Sequence, residues 1–466
     1  MKPYLKYIPK AALIVALLQS CTVTKDYKRP ELQLPATYDT DSAVAGTDTN
    51  SLPAYTNYFK SRELQALIDT VIAHNPDLLI AAEQILAVQA SLKSVKLNYL
   101  PDLNLQINAG VQRLSRNSMM GSFAGGLVFE DYNLAPALSW EIDFWGKLKR
   151  QREEALSVYL GQVEMKRALR IQLIAQTAAA YYNLLSLDEQ LQITVKVEAA
   201  MTNTLELLQT QYSVGEVNVL ALRQSEAQLA EVRALMPEIK AAIRAQENAL
   251  QLLAGKYPAR VQRSGLLYKT AFEEELSAGV PADLLGRRPD VMQSELQLRA
   301  ANARVGITKA DFYPSLKITA QGGLNSIKAT DWFSIPASLF GNLAGGLTQP
   351  VFNRRSIRSA YEQAQHNREA AVHGFRKSVL TAVEEVSTLM NGLEQLRRQS
   401  FEVAQRKAAM YKAIEDAQTL YQYGEASYLE VLTVQQSYFQ TQLAAAAVRA
   451  KEINTNIALY KSLGGY

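Results

Sequence analysis

Apolar and polar residues alternate one by one at four places along the chain, and apolar residues recur with a helical period over most of the rest. Residues 102–115 read DLNLQINAGVQRLS, with Leu103, Leu105, Ile107, Ala109 and Val111 separated by Asn104, Gln106, Asn108, Gly110 and Gln112. Successive side chains on a strand point to opposite faces, so this pattern predicts a strand with one apolar and one polar side. The alternation returns at 130–143, with Tyr132, Leu134, Pro136, Leu138, Trp140 and Ile142 on one side. It returns again at 315–327 (Leu316, Ile318, Ala320, Leu324) and, weaker and Gly-rich, at 338–350 around Leu339, Leu343 and Leu347. Long helices are expected at about 147–213, 217–254, 352–422 and 427–462. Residues 137–236 and 351–466 contain no Pro, and Gly161 is the only interior Gly between Lys147 and Ser213. Those 67 residues would run about 100 Å as a helix. No single globular core is that deep. Positions 173, 180, 187, 194, 201 and 208, with their partners four residues on, are apolar at nine of twelve places, the 3.5-residue seam of a coiled coil.

The plan occurs twice. Asn75-Pro76-Asp77-Leu78 recurs as Arg288-Pro289-Asp290-Val291, and Pro101 recurs as Pro314, each 213 residues later. Tyr212-Ser213-Val214-Gly215-Glu216 recurs as Tyr421-Gln422-Tyr423-Gly424-Glu425, 209 on, and Leu253-Ala254-Gly255 as Leu463-Gly464-Gly465, 210 on. A tandem duplication is predicted, with repeat 1 at 61–270 and repeat 2 at 271–466. Two copies with so long a period make no solenoid.

The chain start reads as an export signal over residues 1–20. Lys2, Lys6 and Lys10 precede the short apolar stretch Ala11–Leu18, and Leu18-Gln19-Ser20-Cys21 follows. Eight apolar residues suit a signal peptide and are too few for a membrane span. Cys21, the only cysteine, resembles the acceptor of a bacterial lipoprotein, so a covalent lipid is expected there and no other cofactor. Residues 21–60 are rich in Pro, Thr, Asp and Ser and read as an extended strap. Formal net charge is +4, and the three signal lysines account for most of it. That balance gives no support to a nucleic-acid partner. One Cys and three His exclude a disulfide framework and a multi-Cys zinc site. His366 and His373 lie seven residues apart, about 10 Å along a helix and too far to share a metal. Gly255-Lys256 lacks the spacing of a phosphate loop, and no Gly-x-Ser-x-Gly or His-Glu-x-x-His occurs. An enzyme is not expected.

An exported chain without a long apolar helix crosses a membrane, if at all, through its strands. Apolar-out, polar-in alternation with aromatics near the strand ends fits a barrel wall. A barrel in lipid must close, because each unpaired backbone group there costs several kcal/mol. Four strands are too few, since the smallest membrane barrels have about eight. Several copies must pool their strands, and a polar inner face favours three or more.

The most specific residues are Leu284-Leu285-x-x-Arg288-Pro289-Asp290-Val291, then Glu295, Leu298, Ala301, Gly306 and Ala310-Asp311-Phe312-Tyr313-Pro314-Ser315-Leu316. With Asp26-Tyr27-Lys28-Arg29-Pro30 and Ser139-Trp140-Glu141-Ile142-Asp143-Phe144-Trp145-Gly146, they resemble the outer-membrane efflux factors of the TolC and OprM type. The nearest branch is the lipoproteins of resistance-nodulation-division pumps. The resemblance implies a mostly helical α+β membrane protein. Three copies would share a twelve-stranded barrel, and their coiled-coil helices would form a periplasmic α-barrel. It further implies an exit duct for small molecules, lipid-anchored in the outer membrane, working with a periplasmic adaptor and an inner-membrane pump. A structural coiled-coil envelope lipoprotein and a protein-secretion duct are the alternatives. On this resemblance Gly215, Val219, Leu220, Gly424 and Ser427 would mark hairpin tips gripped by the adaptor. Leu429, Glu430 and Thr433 would line a constriction, with Tyr421 helping to hold it closed. Three Glu430 carboxylates brought together would raise one another's pKa and favour cations.

Overall fold

The structure, a computed structural model, describes residues 26–39, 52–123, 128–265, 267, 276 and 279–465. The signal segment, Cys21 and part of the strap lie outside the described residues.

The first set of main elements is α1 (Arg62–His74), α2 (Pro76–Leu97), β1 (Asp102–Arg113), β2 (Val128–Ile142), α3 (Lys147–Ser213) and α4 (Val219–Leu253). The second is α5 (Pro289–Ala310), β3 (Ser315–Ser326), β4 (Leu339–Thr348), α6 (Ser356–Gln422) and α7 (Tyr428–Ser462). Equivalent elements match in length: 22 residues for α2 and α5, 12 for β1 and β3, 67 for α3 and α6, 35 for α4 and α7. β2 and β4 differ, 15 residues against 10, and the offset between copies changes across them; α1, with 13 residues, is answered before α5 by the four-residue helix Leu284–Arg287. One sequence match is corrected. Gly255 pairs with Gly464 rather than Gly465, because Gly255 and Gly464 are the residues in left-handed backbone, at φ +67° and +87°. Close contacts divide the chain into two compact units, each drawing on both repeats.

The first unit contains Ile85–Gln162 and Ser294–Phe375, with the described residues up to Glu31. Its four strands form one antiparallel sheet in the order β1-β2-β3-β4. The register stacks like with like. Leu103, Leu138, Ala320 and Leu343 form one row across the sheet, and Ile107, Leu134, Leu324 and Leu339 another. The opposite face carries the row Asn108, Asn133 and Asn325. Asn325 Nδ2 donates to Asp131 Oδ1 at 2.8 Å there. Within one chain the apolar face is bare: Leu103 is 70% exposed and Leu343 76%. Among the described residues the outer edges of β1 and β4 have no neighbour in the sheet.

The strap's Asp26-Tyr27-Lys28-Arg29 segment is bolted to this unit. Arg29 Nε and Nη2 donate to the two oxygens of buried Glu295 at 2.9 and 2.6 Å, and Tyr27 Oη donates to Oε1 at 3.2 Å. Arg299 Nη2 also reaches Oε1, and its guanidinium lies 5.0 Å from the Tyr27 ring centroid. Arg150 Nη2 holds Asp26 at 2.7 Å. Burial pushes the Glu295 carboxyl pKa up, but the bonds from Arg29 and Arg299 outweigh it and hold it below its usual value. The clamp is therefore complete above ordinary Glu values of about 4, and weakens as pH falls through the lower folded value. Glu295→Ala is expected to cost about 1–2 kcal/mol, discounted because Arg29 is half exposed. Tryptic cleavage after Lys28 should quicken correspondingly; an unchanged rate would mean that the clamp does not hold the strap.

The second unit contains Leu32–Gln84, Val163–Gln293 and Arg376–Tyr466. Its core joins Tyr58, Phe59, Leu64 and Ile68 to Ile174, Ala178 and Tyr181 of α3 and to Ile453, Ile457 and Tyr460 of α7. The rings of Tyr58 and Tyr460 stack 4.6 Å apart. Residues 62–97 are long and apolar enough for a membrane helix by composition, contrary to the expectation that none follows the signal. The stretch is nevertheless two helices interrupted at Asn75: Leu64, Ile68 and Val71 of α1 are buried in protein, whereas most of apolar α2 is exposed. The α3 seam is buried or half-buried at every heptad position except Tyr212. Glu198, a polar residue in that seam, is a cross-link, with Arg233 Nε of α4 donating to it at 2.8 Å.

Both repeats close by one device. Asn75 Nδ2 donates to Leu253 O at 2.8 Å, and its counterpart Arg288 donates through Nη1 to Ser462 O at 3.1 Å. Gly255 then lies against the His74 carbonyl and Gly464 against the Arg287 carbonyl, where a Cβ would come within 2.4 and 2.8 Å.

Candidate gate and docking tips

α3 and α6 end alike. Gly215 and Gly424 adopt φ +81° and +73°, which glycine enters without the steric cost a Cβ brings. Gly215 N donates to Tyr212 O and Glu216 N to Gln211 O. Gly424 N donates to Tyr421 O and Glu425 N to Leu420 O, all at 2.9–3.1 Å. This pair of bonds satisfies the last carbonyls of a helix and turns the chain sharply. The next helices start on caps: Asn218 Oδ1 accepts from Ala221 N at 3.0 Å, and Ser427 caps α7. The result is two tight helical hairpins, 209 residues apart in the sequence. Gly215, Val219, Leu220, Gly424 and Ser427 are all exposed on them.

The packing beneath the tips is apolar, with Leu208, Tyr428 and Leu432 buried against Val217, Leu222 and Tyr421. Tyr421 is half-buried. Its ring meets Tyr428 edge-on at 5.9 Å, and its hydroxyl donates to Gln211 Oε1 of α3 at 2.9 Å. Tyr428 Oη lies 3.5 Å from Ser225 Oγ, and Gln228 Nε2 donates to Gln436 Oε1 at 2.9 Å, so α4 and α7 are tied as well. A groove of about 600 Å³ runs beside this cluster, lined by Leu207, Gln211, Glu216, Tyr421, Gln422 and Gln435.

Leu429, Glu430 and Thr433 are exposed, whereas Tyr428, Val431 and Leu432 of the same turns are buried. The three thus share the face of α7 that its own chain leaves open. Glu430 folds back onto its helix start, where its Oε2 accepts from Ser427 N at 2.6 Å and from Ser427 Oγ at 3.0 Å. Those two bonds hold its carboxyl below the usual pKa, so within one chain its surroundings favour the anion. Thr433 Oγ1 donates to Leu429 O at 2.8 Å, leaving no hydroxyl hydrogen for a partner outside the helix.

Comparison with known proteins settles what kind of protein carries these hairpins and this sheet. The family model for outer membrane efflux proteins matches residues 67–256 and again 280–465. The chain belongs to that family. The cation efflux system protein CusC of Escherichia coli O6:H1 is 26% identical over 460 residues, covering 97% of each chain. The toluene efflux pump outer membrane protein TtgF of Pseudomonas putida is 30% identical over 471 residues, covering 97% of this chain and 95% of its own. Among solved structures, the open-state MtrE outer membrane channel of Neisseria gonorrhoeae superposes with a TM-score of 0.86 at 25% identity, over 96% of this chain and 98% of that one. This efflux protein is therefore an outer-membrane channel component, of a family that conducts rather than catalyses. The site residues expected from its sequence cluster at the two tips. Gln211, the acceptor for Tyr421, was not among them, since no period or turn signal singles out one Gln in the last turn of a long helix.

Proposed function

We propose that three copies of this efflux protein close a twelve-stranded barrel in the outer membrane, each contributing its four-stranded sheet. The observation that carries the reading is that sheet. One face is apolar and bare, the other is polar, and both edges end in unpaired strands. In lipid such edges are tolerated only when another copy pairs with them. The polar face would then line a water-filled lumen and the apolar face would meet lipid. Apolar residues left exposed on α2, among them Leu79, Ile80 and Leu86, fit further contacts between copies. The long helices would continue the duct through the periplasm as an α-barrel. A periplasmic adaptor would grip the hairpin tips, and an inner-membrane transporter of the resistance-nodulation-division class would drive small molecules through it. Lipid on Cys21 would add an anchor, since each buried CH₂ contributes about 0.8 kcal/mol. Native mass measurement of the detergent-extracted protein tests the assembly: three lipidated copies are expected, and a monomer would contradict it.

Leu429, Glu430 and Thr433 are assigned to the resting constriction, with the Tyr421–Gln211 bond as its brace. Tyr421→Phe removes one hydrogen bond worth about 1 kcal/mol, and Leu429→Ala removes the bulk. Each should raise idle conductance several-fold in bilayer recordings, while Glu430→Gln should lower cation selectivity. Three recordings indistinguishable from the unmodified protein would place the constriction elsewhere.

A further inference from the structure

The two strand-to-helix junctions of the first unit are built differently. Where β2 passes into α3, Asp143 caps the helix, its two oxygens accepting from Leu148 N and Lys149 N at 2.9 Å each. Trp145 folds inward there, its indole donating to Pro314 O at 2.8 Å and its ring 4.8 Å from Tyr313. Where β4 passes into α6 the chain reads Val351-Phe352-Asn353-Arg354-Arg355. Both helices have 67 residues, so Phe352 stands at the position of Asp143 and Arg355 at that of Gly146. Val351 is 96% exposed and Phe352 87%. Arg354 and Arg355 are the non-glycine residues with positive φ among the described residues, +55° and +67°, while Gly146 has +77°. A glycine would take that conformation freely, yet the second junction keeps arginines there.

Those arginines carry uncompensated charge. Glu362 is shared between Arg355, at 3.5 Å, and Arg358, at 3.0 Å. Arg354 has no acidic partner among the described residues. Three guanidinium groups therefore face one carboxylate, beside two bare apolar side chains. The patch continues the bare apolar face of β4, where Leu343 and Leu347 are exposed. It lies at the end of the sheet that carries Trp140 and Tyr99, whose indole and backbone are joined at 2.9 Å.

We propose that Val351, Phe352, Arg354, Arg355 and Arg358 form a contact surface for anionic phospholipid headgroups at the inner rim of the barrel. The inference rests on the membrane placement of the sheet proposed above. Apolar side chains enter the acyl boundary, and guanidinium groups pair bidentately with phosphate oxygens just outside it. Charge argues against a second copy as the occupant. The β1 edge that a neighbour would bring beside β4 begins on Asp102 with Lys93 and Lys96 before it, so it offers one carboxylate and two further positive charges to three guanidinium groups.

The test compares the full-length protein with its Arg354→Gly/Arg355→Gly variant in nanodiscs of phosphatidylethanolamine with and without phosphatidylglycerol. Glycine relieves the left-handed backbone, so this variant does not threaten the fold. Native mass measurement of co-extracted lipid should show a preference of about tenfold for phosphatidylglycerol in the unmodified protein. In the variant the preference should fall to near parity, with copy number and single-channel conductance unchanged. Equal preference in both proteins would overturn the proposal. So would loss of the oligomer in the variant, which would make the junction a contact between copies. A lipid preference that depends on the arginines in a protein that never conducts would instead sustain this site and contradict the channel reading.

Discussion

Replacing Arg288 by Ala is expected to lower unfolding stability by about 1–2 kcal/mol, discounted because Asp290 and Glu385 are each nearly half exposed. Arg288 is 6% exposed. Its Nε and Nη2 donate to the two Asp290 oxygens at 3.0 and 2.6 Å, while Nη1 serves Glu385 at 2.8 Å and Ser462 O at 3.1 Å. One planar fork thus joins the start of α5 to the middle of α6 and to the end of α7. Removing it leaves a helix-end carbonyl without this partner and hands two half-exposed carboxylates back to water. Arg288→Lys should recover only part of the loss, because a single ammonium cannot span three acceptors in one plane. Burial pushes the Asp290 carboxyl up, and the Arg288 bonds pull it further down, to a net position below the usual Asp value. The stabilisation is therefore present above about pH 4 and lost as pH falls through the lower folded value. Thermal inactivation half-lives should show the Ala variant far shorter-lived at pH 7, with the gap closing near pH 3. A gap that is unchanged by acid would mean that Arg288 acts through packing rather than charge.

Val219→Glu with Leu220→Glu is expected to return cells to the susceptibility of a strain lacking the channel. Both residues are exposed at the first turn of α4, Val219 at 49% and Leu220 at 59%. Acidic residues at a helix start are favoured by the positive end of the dipole, so the substitutions cost the fold little. An adaptor docking on an apolar tip would meet two buried, unpaired charges instead, a penalty of several kcal/mol that dissociates a transient contact. Copy number, membrane insertion and single-channel conductance should all persist, which separates lost docking from lost folding. Full export by the double variant would remove the docking assignment from this tip.

The pattern of the chain reveals the sheet well, for a physical reason. β1 and β3 each have an apolar face and a polar one, so period-two alternation is clear from Leu103 to Val111 and from Leu316 to Leu324, while Gly-rich β4 shows it weakly. The long helices are legible because proline and glycine, the residues that would break them, are rare in them, Pro237 of α4 and Gly161, Gly374 and Gly392 being the exceptions. The left-handed glycines Gly215 and Gly424 announce the tips for the same kind of local reason. What stays hidden is contact between residues far apart in sequence. Arg29 reaches Glu295 across 266 residues, and Tyr421 reaches Gln211 across 210. Nothing in either local sequence names its partner. Glu430 shows the complementary limit. Its place at the third position after Ser427 is explained by helix capping, so its exposure to a throat depends on the other copies. Arg355 is hidden differently, since only the backbone shows that it stands where the first repeat needs a glycine.

The polar faces of three pooled sheets would enclose water. Recording from planar bilayers after adding the purified, full-length protein tests it most directly. Discrete single-channel steps are expected, cation-selective and enlarged in the Tyr421→Phe and Leu429→Ala variants. A protein that inserts as an intact oligomer yet gives no conductance steps, in the unmodified form or in either variant, would contradict it.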